Sequence, residues 1–369
     1  MEWKNKKVLF VSSFTGGGGW ISMAYHINFL KSVGASSTLL LTLFDNPSTP
    51  KIEYIEIHKV PLANLRKVFF LPVHKHRVVS SVYKLMKSDK FDIVFSYTDV
   101  FHYYTGLVVS RFNIPFVPFV CGRDKFRARP IASYYIRKGL TIADAVAFVS
   151  KPLLKDFVEY HKIPSLPTSF IIYPPVDTDR FVPRTDRPGS DVPVVLSVSR
   201  FVPSKRHDLL LAAFHKVLQQ IPSARLILVG DGPTLPRSKK IAAELGISHR
   251  VEFVGHSDDV VKFYQSADVF VHTAVYEGFG RVIGEALACE VPVVTCSDGG
   301  PREILEHGET GFLVDPSPQA IAESIVHLLS HPELRRRMGK AGRKRVIDKF
   351  SLKSYKERIT KLYEFVLGA

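Results

Sequence analysis

Short apolar runs recur along the chain, and segments in which apolar residues follow a helical spacing lie between them. The runs lie at 7–12, 39–43, 93–96, 116–120 and 145–149 in the first half, and at 192–198, 226–229, 251–254, 269–271, 293–295 and 311–314 in the second. Strands buried on both faces have this near-continuous apolar composition, and their alternation with helices is typical of a parallel sheet. The pattern therefore predicts an α/β fold.

The length of the chain favours two domains. A chain of 369 residues exceeds what one hydrophobic core usually organises, and 46% hydrophobic residues with 26 Phe supply material for two cores. A proline pair at 174–175 and the polar run 184–191 have the composition of a joint between domains. We expect a first domain over 1–175, a linker over 176–189 and a second domain over 190–350.

Four consecutive glycines at 16–19 follow the first apolar run and precede a predicted helix over 20–32. Glycines at this place let the backbone approach a ligand closely and leave N–H groups unobstructed. The run does not match the dinucleotide fingerprint G-x-G-x-x-G or the P-loop pattern G-x4-G-K-[ST]. The glycine run is therefore either a ligand-binding loop or a flexible turn.

The stretch from His272 to Glu285, H-T-A-V-Y-E-G-F-G-R-V-I-G-E, holds the densest group of candidate ligand-binding residues. An apolar strand leads into a glycine-broken turn that carries Glu277, and an amphipathic helix that carries Glu285 follows. In a parallel sheet such a helix begins at the carboxyl edge of the strands, where its free N–H groups attract phosphate. Two carboxylates beside these amides suit a ligand with hydroxyls and phosphates. The alternative is an ordinary turn in which Glu277 is exposed and Glu285 pairs with Arg281.

Arg200 and Lys205 lie on the predicted loop between the run 192–198 and a helix over 208–220. A guanidinium offers a planar fork of donors and an ammonium offers a compact charge, so the pair suits a diphosphate. The alternative is that both are solvated loop charges.

These motifs together resemble a known enzyme family. Glu277-Gly-Phe-Gly, Glu285-Ala-Leu-Ala, Val291-Pro-Val-Val and Gly299-Gly-Pro-Arg-Glu303 follow one another in order. With the E-x7-E and R-x4-K spacings, this run resembles the donor site of retaining nucleotide-sugar glycosyltransferases of family four. The likeness is good over about 190–350 and looser before that. It implies the GT-B fold, in which two Rossmann-like parallel-sheet domains face each other across a cleft, with a final helix over 351–369 that packs back on the first domain.

The resemblance also implies roles for individual residues. Arg200 and Lys205 would stabilise the departing diphosphate, Glu277 would hold the transferred sugar, and Glu285 would accept hydroxyls of the nucleotide ribose. The other donor-binding residues that it implies are Gly16, Gly17, Val254, Gly255, Phe279, Gly280 and Arg281. Tyr264 is either close to the base pocket or a core aromatic.

One segment of the first domain departs from the family pattern. Cys121-Gly-Arg-Asp124 resembles an H-G-x-D-like stretch that contacts the donor or acceptor sugar, but a Cys stands where many members have His. Arg123 and Asp124 are therefore candidate acceptor contacts. His102 is the nearest replacement for an assisting His, although a His beside aromatic residues is more often structural.

The acidic pair Asp177 and Asp179 mimics the metal-binding D-x-D motif of other glycosyltransferases. It directly follows the proline pair of the joint, and the GT-B resemblance implies no metal, so we interpret it as coincidental. We expect a reaction without metal or cofactor, in which the nucleotide sugar is a substrate.

Charge is distributed unequally. Residues 1–175 carry 23 Lys and Arg against 11 Asp and Glu, a net charge of +12 out of +15 for the whole chain. Such an excess favours an anionic partner or serves solubility. The basic and apolar segment 59–90 is either a helix that lies on an anionic membrane surface or a core-facing helix with a solvated lysine face.

Cysteine usage and hydropathy bear on the compartment. Three cysteines, Cys121, Cys289 and Cys296, are too few for a disulfide framework, which favours a reducing compartment. No apolar segment precedes the run 7–12, and no run approaches the about 18 apolar residues of a membrane-spanning helix. We expect a cytoplasmic protein that binds peripherally to the inner face of the cell membrane if its basic half contacts lipid.

The resemblance thus implies a retaining hexosyltransferase. It would move a mannose or glucose-type sugar from GDP-mannose or a UDP-sugar to a sugar or lipid-linked acceptor at the membrane surface, in glycan or glycolipid synthesis. A GT-B nucleotide-sugar epimerase or hydrolase is the alternative enzyme, and acceptor dependence separates the two. A basic nucleic-acid-binding protein is the alternative outside enzymes, but no nucleic-acid-binding module is recognisable, and no such partner is expected.

Overall fold

The structure is a computed structural model that describes residues 3–12, 18–43, 56–61, 72–97, 102–122, 130–184, 192–296 and 298–368. The chain divides into two compact units. The first unit comprises Met1–Pro174 and Tyr355–Ala369, and the second unit comprises Pro175–Ser354. Among the described helices, none is long and apolar enough to cross a membrane.

The first unit is built on a parallel sheet of seven strands in the order β3-β2-β1-β4-β5-β6-β7. The strands are β1 (Lys7–Ser12), β2 (Ser36–Leu43), β3 (Glu56–Pro61), β4 (Ile93–Ser96), β5 (Phe116–Val120), β6 (Ala145–Phe148) and β7 (Thr168–Ile171). The helices that connect them are α1 (Gly18–Ser32), α2 (Pro72–Ser88), α3 (His102–Val109), α4 (Pro130–Leu140) and α5 (Lys151–His161). Helices and strands alternate as the apolar pattern predicts, so the expected α/β fold is confirmed for this unit.

The centre of this sheet is buried on both faces, which is why its strands are continuous apolar runs. Leu9 and Val11 of β1 are 0% exposed, and they belong to one buried cluster with Val82 of α2 and Val108 of α3. Within α2 the side chain of Lys84 is exposed. The described part of this helix therefore has a core-facing side and a solvated lysine side.

Two strands of the first sheet were not predicted. β3 and β7 are its two edge strands, and neither is a continuous apolar run. β3 has the sequence E-I-H-K-V-P, and β7 is exposed or half-buried along its length. An edge strand faces solvent on one side and often carries charge that discourages pairing with other chains. The hydropathy signal on which the prediction rests is therefore weakest at these two positions.

A buried polar network joins the helix that follows the second unit to the core of the first. His26 of α1 lies 2.8 Å from the Tyr97 hydroxyl through Nδ1 and 2.7 Å from the Tyr363 hydroxyl through Nε2. Burial lowers the pKa of His26 to about 3, so the ring is neutral and uses one nitrogen as donor and the other as acceptor. The ring of Trp3 packs edge-on against Tyr363 at 4.8 Å.

The second unit is built on a parallel sheet of six strands in the order β10-β9-β8-β11-β13-β15, and on a two-stranded sheet of β12 and β14. The strands are β8 (Val194–Val198), β9 (Arg225–Val229), β10 (Val251–Gly255), β11 (Val269–His272), β12 (Tyr276–Glu277), β13 (Val293–Thr295), β14 (Asp298–Gly299) and β15 (Gly311–Leu313). The helices are α6 (His207–Gln220), α7 (Leu235–Glu244), α8 (Val261–Ser266), α9 (Arg281–Ala288), α10 (Pro301–Ile304), α11 (Pro318–Ser330), α12 (Pro332–Phe350) and α13 (Leu352–Leu367), whose residues from Tyr355 onward belong to the first unit. Phe214 of α6 and Ile325 of α11 pack in one buried cluster with Val195 of β8.

The strand order places a topological switch point between β8 and β11. From β8 the chain builds outward to β9 and β10, and it then returns to build β11, β13 and β15 on the other side. Val195 of β8 pairs with Val269 of β11, so the two strands run side by side. Open α/β sheets bind ligands in the crevice at the carboxyl ends of such a strand pair. The loops that follow Val198 and His272 are therefore the place to look for a site.

Residues 176–184, which the sequence places in the linker, pack within the second unit. Asp177 caps a turn there, because its Oδ1 accepts hydrogen bonds from the backbone N–H groups of Asp179 at 3.2 Å and Arg180 at 3.0 Å. Asx residues commonly stabilise turns in this way. The first acid of the D-x-D sequence thus has a structural role. Residues 185–191 lie outside the described part of the chain.

Candidate active site

The switch point of the second sheet brings two charged groups together that lie far apart in sequence. Lys205, after β8, forms an ion pair through Nζ with Oε1 of Glu277, after β11. Burial, and then the charge of neighbouring Arg200, lower the pKa of Lys205 to about 8. Arg200 itself is exposed and pairs with no described residue. The two cations predicted to bind a diphosphate are thus neighbours, and Lys205 is already paired with the Glu277 carboxylate.

His272 also contacts Glu277. It is the last residue of β11, it is 1% exposed, and its Nε2 lies 3.0 Å from Glu277 Oε1. Burial, and then the positive charge of Lys205, lower the pKa of His272 well below its ordinary value, so the ring is neutral. The Thr295 hydroxyl donates to the His272 backbone oxygen over 2.8 Å. Sequence reasoning gave His272 no role, because it ends an apolar strand and looks like part of the core.

The turn that carries Glu277 is held by a second turn. Glu277 of β12 pairs with Gly299 of β14, and the Gly300 N–H donates to the Glu277 backbone oxygen over 2.9 Å. A Cβ at Gly299 would lie 2.2 Å from that oxygen, and one at Gly300 would lie 2.3 Å from the Phe279 Cα. Only residues without a side chain allow this approach. The G-G sequence therefore fixes the backbone from which the Glu277 carboxylate projects.

Glu285 of α9 is buried and engaged through both carboxylate oxygens. It is 4% exposed, its Oε1 lies 3.0 Å from a guanidinium nitrogen of Arg281, and its Oε2 accepts a hydrogen bond from the Tyr264 hydroxyl over 3.0 Å. Burial, and then the Glu285 carboxylate, raise the pKa of Tyr264 well above its ordinary value. The ion pair that the sequence offered as an alternative for Glu285 is thus present, and Tyr264 is both a core aromatic and a partner of Glu285.

Other residues of the expected donor site lie around the same sheet edge. Phe279 and Gly280 end the Glu277 turn, and α9 begins directly after them. Val254 and Gly255 end β10 and are half-buried, and the Gly255 backbone oxygen accepts a hydrogen bond from Gly230 over 2.7 Å. The switch point lies between β8 and β11. Phe279 and Gly280 follow β11 on one side of it, and Val254 and Gly255 end β10, which lies beyond β9 on the other side.

The candidate residues of the first unit are only partly described. His102 begins α3, is 1% exposed and lies 2.9 Å from the Ser96 hydroxyl through Nδ1. Burial lowers the pKa of His102 to about 3, so the ring is neutral. It follows β4, which neighbours β1 at the switch point of the first sheet. The other four candidates, Gly16, Gly17, Arg123 and Asp124, lie outside the described residues.

Two family descriptions match this chain, one over each half. Glycosyltransferase Family 4 matches residues 16–180, and Glycosyl transferases group 1 matches residues 181–345. The chain belongs to glycosyltransferase family four and has the GT-B fold. The predicted family and the predicted two-domain α/β architecture are confirmed, and the switch point of the second unit lies inside the group 1 match.

Individual relatives differ from this chain at most of the aligned positions. The GDP-mannose-dependent alpha-(1-6)-phosphatidylinositol monomannoside mannosyltransferase of Mycolicibacterium smegmatis is 34% identical over 63% of this chain, and the match spans 65% of that relative, just under two thirds of its length. The N-acetyl-alpha-D-glucosaminyl L-malate synthase of Bacillus anthracis is 27% identical over 85% of this chain and 83% of its own length. A crystal structure of a glycosyltransferase from Rickettsia africae superimposes with a TM-score of 0.84 and 22% identity, covering 98% of this chain and 99% of that one.

Proposed function

We propose that this glycosyltransferase moves a hexose from a nucleoside diphosphate sugar to a sugar or lipid-linked acceptor, with retention of anomeric configuration and without a metal. One observation carries the proposal: Lys205 pairs with Glu277 at the switch point of the second unit, and Arg200 is near enough to lower the pKa of Lys205. Two cations beside a carboxylate suit a ligand that has phosphates at one end and sugar hydroxyls at the other.

The cations act on the leaving group. When the bond between the sugar and the outer phosphate breaks, extra negative charge develops on that phosphate. Lys205 is partly buried, and a buried cation stabilises developing charge more strongly than one in water. Exposed Arg200 adds a planar fork of donors that can grip two phosphate oxygens. The N-terminus of α9 lies directly after the Glu277 turn and contributes its positive dipole end.

Glu277 acts on the sugar. Its Oε1 is already contacted by Lys205 and His272, whereas no described residue contacts Oε2. An ionised carboxylate only accepts hydrogen bonds, so Oε2 is suited to a sugar hydroxyl. In the proposed reaction the acceptor oxygen bonds to the anomeric carbon on the face from which the diphosphate leaves. The acceptor proton passes to a phosphate oxygen of the departing group.

The donor and acceptor are proposed from the relatives and from the charge of the chain. The mycobacterial relative is named for GDP-mannose and for a phosphatidylinositol mannoside, which favours mannose and a lipid-linked acceptor. The basic first half of the chain supports an acceptor at the anionic inner face of the membrane. A UDP-sugar is the competing donor. The same site would serve either nucleotide, since Arg200, Lys205 and Glu277 would contact the phosphates and the sugar rather than the base.

Thermal unfolding and turnover with a panel of GDP- and UDP-sugars, each with and without EDTA, test this proposal. A donor at 100 times its dissociation constant adds about 2.7 kcal/mol of stability, which is readily measured. We expect one donor to stabilise the protein and to turn over only when an acceptor is added, with no effect of EDTA. Turnover without an acceptor would indicate an epimerase or hydrolase. No response to any nucleotide sugar would refute the proposal.

A further inference from the structure

The two oxygens of the Glu277 carboxylate are unequally used. Oε1 takes both contacts, from the Lys205 ammonium and from His272 Nε2 at 3.0 Å. Oε2 has no partner among the described residues, and the side chain is 20% exposed. One oxygen is thus anchored by the protein while the other is available to a ligand.

The His272 ring is held in place independently of Glu277. The Thr295 hydroxyl donates to the His272 backbone oxygen, which fixes the end of the strand, and the His272 ring lies within 11° of parallel to that of Phe270, with 6.4 Å between the ring centroids. The ring is buried among Lys205, His207 and Glu277, and burial with two basic neighbours keeps it neutral. A carboxylate oxygen can only accept, so a neutral imidazole at 3.0 Å must carry its proton on Nε2.

The two partners of Glu277 Oε1 respond differently to a nucleotide sugar. Lys205 is a flexible cation, so an incoming diphosphate competes with Glu277 for it. His272 has no charge to attract phosphate, and its position in a central strand leaves it little freedom. When the phosphates draw Lys205 away, His272 is the contact that stays on Glu277.

We infer that His272 is a positioning residue that holds Glu277 Oε1 through Nε2–H, so that Oε2 stays directed at a hydroxyl of the donor sugar after Lys205 has moved to the phosphates. This inference rests on the proposed function. It assigns the orientation of Glu277 to a neutral hydrogen-bond donor, His272 Nε2–H, rather than to the ion pair with Lys205. A second cation in the place of His272 would compete for the same phosphates.

Two substitutions at this position separate hydrogen bonding from packing. His272→Phe keeps an aromatic ring on Phe270 but removes the donor, and His272→Gln restores a donor at about the distance of Nε2. His249→Phe is the matched control. His249 is exposed and lies just before β10, at the opposite edge of the sheet from the site. The readouts are GDP and UDP affinity, kcat and donor KM of the full chain.

We expect His272→Phe to lower kcat by about ten- to a hundredfold, the range for losing a hydrogen bond to a charged group. Because GDP and UDP lack the sugar, their affinity should stay within about twofold of the wild-type value. His272→Gln should recover most of the lost kcat, and His249→Phe should match the wild type. Equal kcat in His272→Phe and wild type, or equal losses in the Phe and Gln variants, would overturn the inference.

A measurement on the unmodified side chain covers the case in which a variant does not fold. Nitrogen NMR of the wild-type chain, labelled at histidine, reports which ring nitrogen carries the proton, and the signal missing in His272→Gln or His272→Phe gives the assignment. If neither variant folds, the Glu277→Gln variant identifies the signal by the shift it causes. A neutral ring with Nε2–H that persists when GDP or UDP is added supports the inference. A ring protonated on Nδ1 alone, or on both nitrogens, overturns it.

The outcomes also separate this inference from the proposed function. If the wild-type chain turns over no nucleotide sugar with any acceptor, the proposed function fails and the assignment of His272 fails with it. If the wild type turns over and His272→Phe equals it, only the assignment of His272 fails.

Discussion

The Tyr264 hydroxyl donates a hydrogen bond to Glu285 Oε2 over 3.0 Å, and both side chains are buried. Hydrogen bonds to a buried charge contribute more than those between neutral groups, because the carboxylate cannot be solvated if its donor is lost. The pair therefore joins α8 to α9 at the edge of the site.

Tyr264→Phe should destabilise the second unit by about 1.5–3 kcal/mol, since it leaves one oxygen of a buried carboxylate without its donor. The free energy of unfolding from urea titration measures this loss. Tyr134→Phe is the control, because Tyr134 is 49% exposed. Equal stability of Tyr264→Phe and wild type would contradict a stabilising role for this contact.

Arg200→Ala should reduce turnover about a hundredfold, the usual effect of removing a group that stabilises developing charge. Stability should change by less than about 0.5 kcal/mol, because Arg200 is exposed and pairs with no described residue. Steady-state kinetics and thermal unfolding check both values. Arg337→Ala, an exposed arginine on α12, is the matched control and should leave both unchanged. Full activity in Arg200→Ala would remove this residue from the site.

Binding of GDP or UDP should weaken as the pH rises above about 8, since burial and Arg200 lower the pKa of Lys205 to that value. The protonated ammonium attracts phosphate and the neutral amine does not, so affinity is full below this pKa and falls above it. Calorimetric titration between pH 6 and 10 follows the change. Lys205→Arg keeps its charge over the whole range, and its affinity should decline less steeply. A flat wild-type profile to pH 10 would contradict this prediction.

Gly300→Ala should lower activity and cost about 1–3 kcal/mol of stability, because the added Cβ would collide with the Phe279 backbone beside Glu277. Gly246→Ala is the control, since Gly246 has open space around its Cβ position and only a left-handed φ of +72°. That control should cost about 1 kcal/mol and leave kcat unchanged. Kinetics and urea unfolding of the two variants decide whether the contact between the turns matters. If both variants lose kcat equally, the steric explanation is wrong.

The sequence predicted those strands that are buried on both faces of the sheet. β1 and β11 are buried along almost their whole length because helices cover both sides of the sheet, and their apolar centres were found from hydropathy alone. β3 and β7 were missed, since edge strands carry a mixed pattern. Arg200, Lys205 and Glu277 were proposed from their places on a predicted loop and turn, the resemblance gave them roles, and those roles stay predictions.

The sequence did not reveal which side chains contact and orient the motif residues. Lys205 and Glu277 are 72 positions apart, and they meet only because β11 lies beside β8 in the sheet. Tyr264 and His272 lie among apolar residues, where a buried aromatic or imidazole is most often part of the core. Which oxygen of a carboxylate each of them contacts depends on side-chain geometry, and no sequence pattern records that.

The contact between His26 and Tyr363 spans 337 positions of sequence. It ties the core of the first unit to α13, which follows the second unit in the chain. During synthesis on the ribosome, the continuous segment 175–354 leaves the exit tunnel before Tyr363 does. Domains usually fold in the order in which they emerge. Here we expect the first unit to complete its packing last, when α13 covers a sheet whose seven strands were made long before.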